Sequence, residues 1–78
     1  MPRKLANWTF KEIERFLKTK GFVLNHTNGS HFYYKGSGGG LIRSICVPFH
    51  GNNEPIKPRT VKAIIIQSGI SIDEWLVD

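Results

Sequence analysis

The chain has 78 residues, with eleven Lys and Arg against six Asp and Glu, a net charge of +5 with histidine neutral. At that length a chain buries only roughly 60–65% of its unfolded surface, which allows one domain over residues 1–78 and excludes an enclosed dinucleotide site, a two-domain cleft or a barrel enzyme. The longest uninterrupted apolar run, Ala63 to Ile66, cannot span a bilayer, and one cysteine, Cys46, provides neither an internal disulfide nor a thiolate-rich metal site. Met1-Pro2-Arg3-Lys4 is basic but lacks the apolar stretch of a signal peptide. An apolar content of 40%, with five Phe, two Trp and two Tyr, is that of a folded chain. The expectation is a small, basic domain of the cytoplasm whose charge suits nucleic acid, an acidic protein or an anionic surface.

The first predicted element is a helix from Thr9 to Lys20. Phe10, Ile13, Phe16 and Leu17 recur at helical spacing, and Lys11, Glu12, Glu14, Arg15 and Lys18 fill the other arc. Thr9 with Glu12 reads as a capping box, Gly21 as a stop, and Trp8 is placed to staple onto Ile13. Three strands follow. Phe22 to His26 alternates, Asn28-Gly29 signals a hairpin, and Ser30 to Lys35 is rich in aromatic residues. Gly36 to Gly40 then offers only one side chain, and reads as a mobile loop between antiparallel neighbours. Leu41 to Val47 is the third strand, bounded by Pro48, and Phe49 to Lys57 reads as a loop. Pro58 suits the first turn of a second helix that carries Val61, Ile64 and Ile65 and ends at Gly69. Ser71 and Glu74 frame a short C-terminal helix with Trp75 and Leu76. This order predicts an α+β fold, with antiparallel strands covered by helices on one face.

The other face of the sheet is then free for chemistry. Alternation separates Phe32 and Tyr34, assigned to the core, from His31, Tyr33 and Lys35, assigned to the open face; Ile45 and Val47 join the first set, Ser44 and Cys46 the second. An imidazole, a phenol and an ammonium in one row suit phosphodiester chemistry: a proton mover near neutral pH, a stacking or donating ring, and a phosphate holder. The bland reading of the same row is a solvated strand face. Lys57, Arg59 and Lys62 surround the start of the second helix, where unpaired amides and the helix dipole already favour phosphate. His26, His31 and His50 match no compact metal-ligand spacing, and His26 reads as surface decoration at a strand end. Cys46 lacks the orienting partners of a thiol nucleophile. The glycine-rich segment joins two strands with no helix after it, so it is not a P-loop.

Gly29-Ser30-His31 opening an aromatic strand, Val47-Pro48-Phe49-His50 closing the next, Ile56-Lys57-Pro58 with Thr60 leading into a helix, and Gln67-Ser68-Gly69-Ile70-Ser71 ending it together resemble the HicA (YcfA-like) toxin family. The opening helix ending at Gly21-Phe22 fits the same pattern, so the resemblance runs from about Thr9 to Trp75. Two features depart from it: the long glycine-rich connection over Ser37 to Gly40, and Asn53-Glu54-Pro55 with Pro58-Arg59 ahead of the second helix. The resemblance implies a fold like a double-stranded-RNA-binding domain: helix, three antiparallel strands, helix. It also implies a metal-independent endoribonuclease that needs no cofactor, cleaves mRNA and is neutralised by a HicB-type antitoxin. His31 matches the family's catalytic histidine, presented by Gly29 and Ser30, and His50 matches the histidine after its Val-Pro motif.

On that reading neutral His31 takes the proton of a ribose 2′-hydroxyl, and the oxygen attacks the adjacent phosphorus. Lys35, or Arg59 and Lys62, offset the charge of the transition state. His50 and Tyr33 are both candidates for the general acid. The alternative is a non-catalytic double-stranded-RNA-binding module that uses Lys57, Arg59 and Lys62, with Lys11, Arg15 and Lys18 on the first helix. An adaptor that binds only an acidic protein is a third class.

Overall fold

A computed structural model describes residues 4–77; the basic residues 1–3 lie outside the described residues. A two-residue strand, β1 (Trp8–Thr9), runs directly into helix α1 (Phe10–Thr19). Thr9 is its N-cap. The Thr9 Oγ1 accepts the Glu12 amide at 3.3 Å and Glu12 Oε1 accepts the Thr9 amide at 3.1 Å, the reciprocal box that the spacing predicts. Helix α1 buries Phe10, Ile13 and Leu17.

The sheet is an antiparallel meander of β2 (Val23–Asn28), β3 (His31–Gly38) and β4 (Leu41–Pro48), in the order β2-β3-β4. Helices α2 (Pro58–Ser68) and α3 (Ile72–Leu76) complete the chain. Tyr34, Ile45 and Val47 on the inner face join Trp8, the α1 residues, Phe22, Val61, Ile64, Ile65 and Trp75 in one buried cluster. This is the predicted α+β arrangement, consistent with the fold of a double-stranded-RNA-binding domain. Pro58 stands in the first turn of α2, and Gly69, at φ 70°, provides the left-handed cap that ends it. Ser71 accepts the Glu74 amide at 3.4 Å to start α3, and the Glu74 carboxylate stands 3.9 Å from Lys20.

The glycine-rich segment is not a mobile loop. The β3–β4 ladder continues through Gly36↔Arg43, Ser37↔Ile42 and Gly38↔Leu41, so only Gly39 and Gly40 turn the chain. Glycine is required there because other parts of the molecule occupy the side-chain positions. A Cβ on Gly36 would stand 2.6 Å from the Phe22 ring, and one on Gly38 would stand 1.9 Å from the Ser68 carbonyl oxygen. The hairpin thus docks, backbone to backbone, on the end of α2, where Arg43 Nε donates to the Gly38 carbonyl at 3.1 Å. The stretch read as a loop after Pro48 likewise holds a short strand, β5 (Pro55–Ile56), which pairs with β1 through Trp8↔Ile56 and Thr9↔Pro55.

Two polar groups lie deep in this core, both with partners. Ser68 donates to the Ile65 carbonyl at 2.6 Å and accepts from the Ile70 amide and from Trp75 Nε1, each at 3.1 Å. Trp75 meets Trp8 edge-on at 5.7 Å and stacks on Phe16 at 3.9 Å. The Tyr34 hydroxyl donates to Glu14 Oε2 at 2.5 Å. Burial first, and the Glu14 carboxylate second, push that phenol well above its ordinary 10.

Gly38→Ala should destabilise the protein by about 1–3 kcal/mol, the usual cost of overpacking. The urea midpoint reads this, and an unchanged midpoint would return the segment to a mobile loop. Tyr34 sets a pH dependence. Because its folded pKa is raised, the native state keeps a proton that the unfolded chain loses above about pH 10, so stability is full below that value and falls as pH rises past it. Urea titrations of the parent and of Tyr34→Phe between about pH 9 and about pH 11 should differ in slope, with the parent losing more. Parallel slopes would contradict the raised phenol.

Candidate functional site

The register sorts the open face into cross-strand rows. His31 faces Pro48, Tyr33 faces Cys46, and Lys35 faces Ser44 on β4 and Val23 on β2. His31 and Lys35 are exposed and Tyr33 is half-buried, whereas Tyr34 is fully buried, so the predicted division of β3 into two faces holds. Tyr33 lies within reach of Cys46. The hydrogen bond to the Cys46 side chain, followed by its charge, raises the Tyr33 phenol above its ordinary 10. Tyr33 is therefore a hydrogen-bond donor at neutral pH and holds its proton firmly.

His31 and His50 come to the same end of the sheet. The hairpin between β2 and β3 turns on two residues, Gly29 and Ser30, with Asn28 paired to His31. Only Gly29 has a positive φ, 60°, the first-position glycine of a type II′ turn. Beyond β4, the Phe49 amide donates to the Ser30 carbonyl at 2.7 Å, which ties the segment holding His50 to the turn that presents His31. Below this junction Phe10, Phe32 and Phe49 form a triangle of rings, with centroids 5.1, 4.8 and 5.2 Å apart. Phe32 follows His31 and Phe49 precedes His50, so each exposed imidazole is one residue from an anchored ring.

Pro48, the cross-strand partner of His31, also lines a groove of about 290 Å³ with His50, Pro55, Ile56, Lys57 and Thr60. The groove borders the start of α2, whose N-cap residue, Lys57, makes no side-chain capping bond. An anion there would meet the amino end of a helix and an ammonium group. Arg59 and Lys62 are exposed too, and their i,i+3 spacing puts them on one flank of α2. Lys35 lies four residues along β3 from His31, roughly 13 Å at strand rise, on the same face of the sheet. Among the described residues no group of three His, Cys, Asp or Glu side chains is arranged to hold a metal ion.

His26 is exposed, as the sequence predicts of a strand-end residue, but the strand face it takes does not follow from alternation. Simple alternation puts it with Phe22 and Leu24, but β2 carries a bulge between Leu24 and His26, which turns His26 onto the open face opposite Tyr33. The two rings stack at 4.4 Å and 6°. The only hint in the sequence is the polar run Asn25-His26-Thr27-Asn28, in which neither parity is apolar, so burial does not fix the register.

Phe49→Ala should cost about 2 kcal/mol, less than a fully buried phenylalanine because the ring is half-exposed. It should also shift the imidazole proton resonances of both His31 and His50 and leave those of His26 in place. Movement of His50 alone would show that the triangle does not couple the two. In comparison with known proteins, a family model described as the HicA toxin of bacterial toxin–antitoxin matches residues 10–70. No curated protein and no solved structure matches the chain.

Proposed function

The chain belongs to the HicA toxin family of bacterial toxin–antitoxin systems, and from that premise we propose that it is a metal-independent endoribonuclease that cuts mRNA in the cytoplasm. The observation that carries this reading is the fixing of two exposed histidines, His31 and His50, at one end of an open sheet face beside the amino end of α2. Paired imidazoles at a phosphate site can transfer protons in both directions near neutral pH. Among the described residues, no helix is long and apolar enough to cross a membrane.

Neutral His31 removes the proton of a ribose 2′-hydroxyl as that oxygen bonds to the adjacent phosphorus. The bond from phosphorus to the 5′-oxygen breaks, and protonated His50 gives its proton to the leaving oxygen. The products are a 2′,3′-cyclic phosphate and a 5′-hydroxyl. Tyr33 is the weaker candidate for the acid because its phenol holds its proton more firmly than usual. Lys57 and the amides at the start of α2 offset the charge on the non-bridging oxygens. Lys35, Arg59 and Lys62 contact phosphates farther along the strand. DNA lacks the 2′-hydroxyl, so the chemistry itself selects RNA.

A HicB-type antitoxin is the proposed partner, acidic enough to be steered by the +5 charge, and placed over the face that carries His31, Tyr33 and Lys35. The purified protein should cut single-stranded RNA with EDTA present. His31→Ala should lower the rate by about 10²–10⁴-fold with the circular dichroism spectrum unchanged, since that ring is exposed, and should still bind RNA. His50→Ala should also slow cleavage, with less effect on substrates whose leaving oxygen needs no proton. Parental cleavage by His31→Ala would overturn the catalytic assignment. RNA binding without cleavage by the parent would favour a non-catalytic double-stranded-RNA-binding module.

A further inference from the structure

The proton transfers assigned to His31 and His50 leave unused the other ring pair on the open face, His26 on Tyr33. Four observations bear on its purpose. The rings are nearly parallel, at 6°, flatter than any of the core ring pairs, of which Phe16–Trp75 comes nearest at 26°. The pair is not core material, since His26 is exposed and Tyr33 half-buried. It exists only because β2 bulges to bring His26 up, at the expense of a regular ladder. Finally, β2 is an edge strand among the described residues, so the exposed His26 stands at the sheet margin with Tyr33 on its inner side.

The polar atoms point the same way. The Asn25 side-chain amide lies 2.8 Å from His26 Nδ1, a hydrogen bond that holds the ring plane. Held in that plane, His26 offers a flat, exposed face. On the other side of the stack, Tyr33 faces Cys46 across the β3–β4 ladder. Both rings are thus suited to holding a planar group.

We propose that His26 and Tyr33 form a nucleobase-binding platform, in which a base of the RNA strand stacks as a third ring on the outer face of His26. The proposal rests on the ribonuclease reading for its choice of RNA. The geometry gives it a place in that reaction: Asn28, the partner of His31, lies two residues along β2 from His26, about 7 Å at strand rise. A base on the platform therefore belongs to a nucleotide next to the one whose phosphate meets His31. Lys35, across from Val23 on the same face, continues the track for the backbone. Stacking on an aromatic ring tolerates every base, because each has a π face.

A single-stranded 2′-O-methyl RNA oligonucleotide, which lacks the nucleophile and cannot be cut, separates binding from catalysis. Fluorescence anisotropy with the parent protein, His26→Ala and His26→Phe at several salt concentrations is the test. His26→Ala should weaken binding roughly 5- to 150-fold, the equivalent of a base–aromatic stack. His26→Phe should stay within about threefold of the parent, and all three should share one log–log salt slope, since no phosphate contact is lost. Three results each overturn the platform: equal binding by parent and His26→Ala, His26→Phe as weak as His26→Ala, or a slope flattened by about 0.7 in the variants. A parent that does not bind the probe overturns it as well. If the probe binds as expected but unmodified RNA is not cut, the ribonuclease reading fails and the platform stands; if RNA is cut and His26→Ala binds like the parent, the platform alone fails.

Discussion

The candidate site depends on the burial of one ring, Phe10, against two others that belong to the sheet. Phe32 comes from β3 and Phe49 from the segment after β4, and both meet Phe10 at the start of α1. Edge-to-face aromatic pairs contribute about 0.5–1.5 kcal/mol each beyond the area they bury. Because each sheet ring is a chain neighbour of a histidine, the hydrophobic effect that closes this corner of the core also sets the separation of two exposed imidazoles. The hydrogen bond from the Phe49 amide to the Ser30 carbonyl fixes the same junction from the backbone side. The histidines themselves need make no stabilising contact, and they are left to solvent and ligand.

Much of this was legible in the sequence, for local reasons. The Thr9–Glu12 box, Pro58 at the start of α2 and Gly69 at its end act within one helical turn, so spacing alone reveals them. The two faces of β3 were legible because Phe32 and Tyr34 contrast with His31 and Lys35. What escaped was set by contacts between distant segments. Glycine at Gly36 and Gly38 looks like flexibility until Phe22 and Ser68 are seen against it. The β1–β5 pair is too short to show a period. Phe49 does lie in a loop, as its sequence suggests, but its packing on Phe10, almost forty positions earlier, shows in no local pattern. The bulge in β2, and with it the placement of His26, depends on a polar run in which neither register is favoured.

The positive charge is distributed rather than pooled. Lys57 lines the groove, Arg59 and Lys62 are exposed on α2 outside its lining, and Lys35 stands on the sheet four residues from His31. A single deep anion pocket would need these cations to converge. Their separation suits an extended polyanion that crosses the sheet and passes the start of α2, touching one cation at a time. Each such contact weakens with salt.

The bulge in β2 has a further consequence, for solubility. A three-stranded sheet has two outer edges, and each exposes backbone donors and acceptors that invite a strand from another molecule. On the β4 side the Cys46 amide is occupied by Gln67 Oε1 at 3.0 Å. On the β2 side the exposed Val23 and Leu24 begin a strand that would be an inviting template if it ran straight. The extra residue at Asn25 breaks the even spacing of that edge, and the polar residues that follow keep it wet. One inserted residue thus brings an imidazole onto the working face and spoils the neighbouring edge for aggregation.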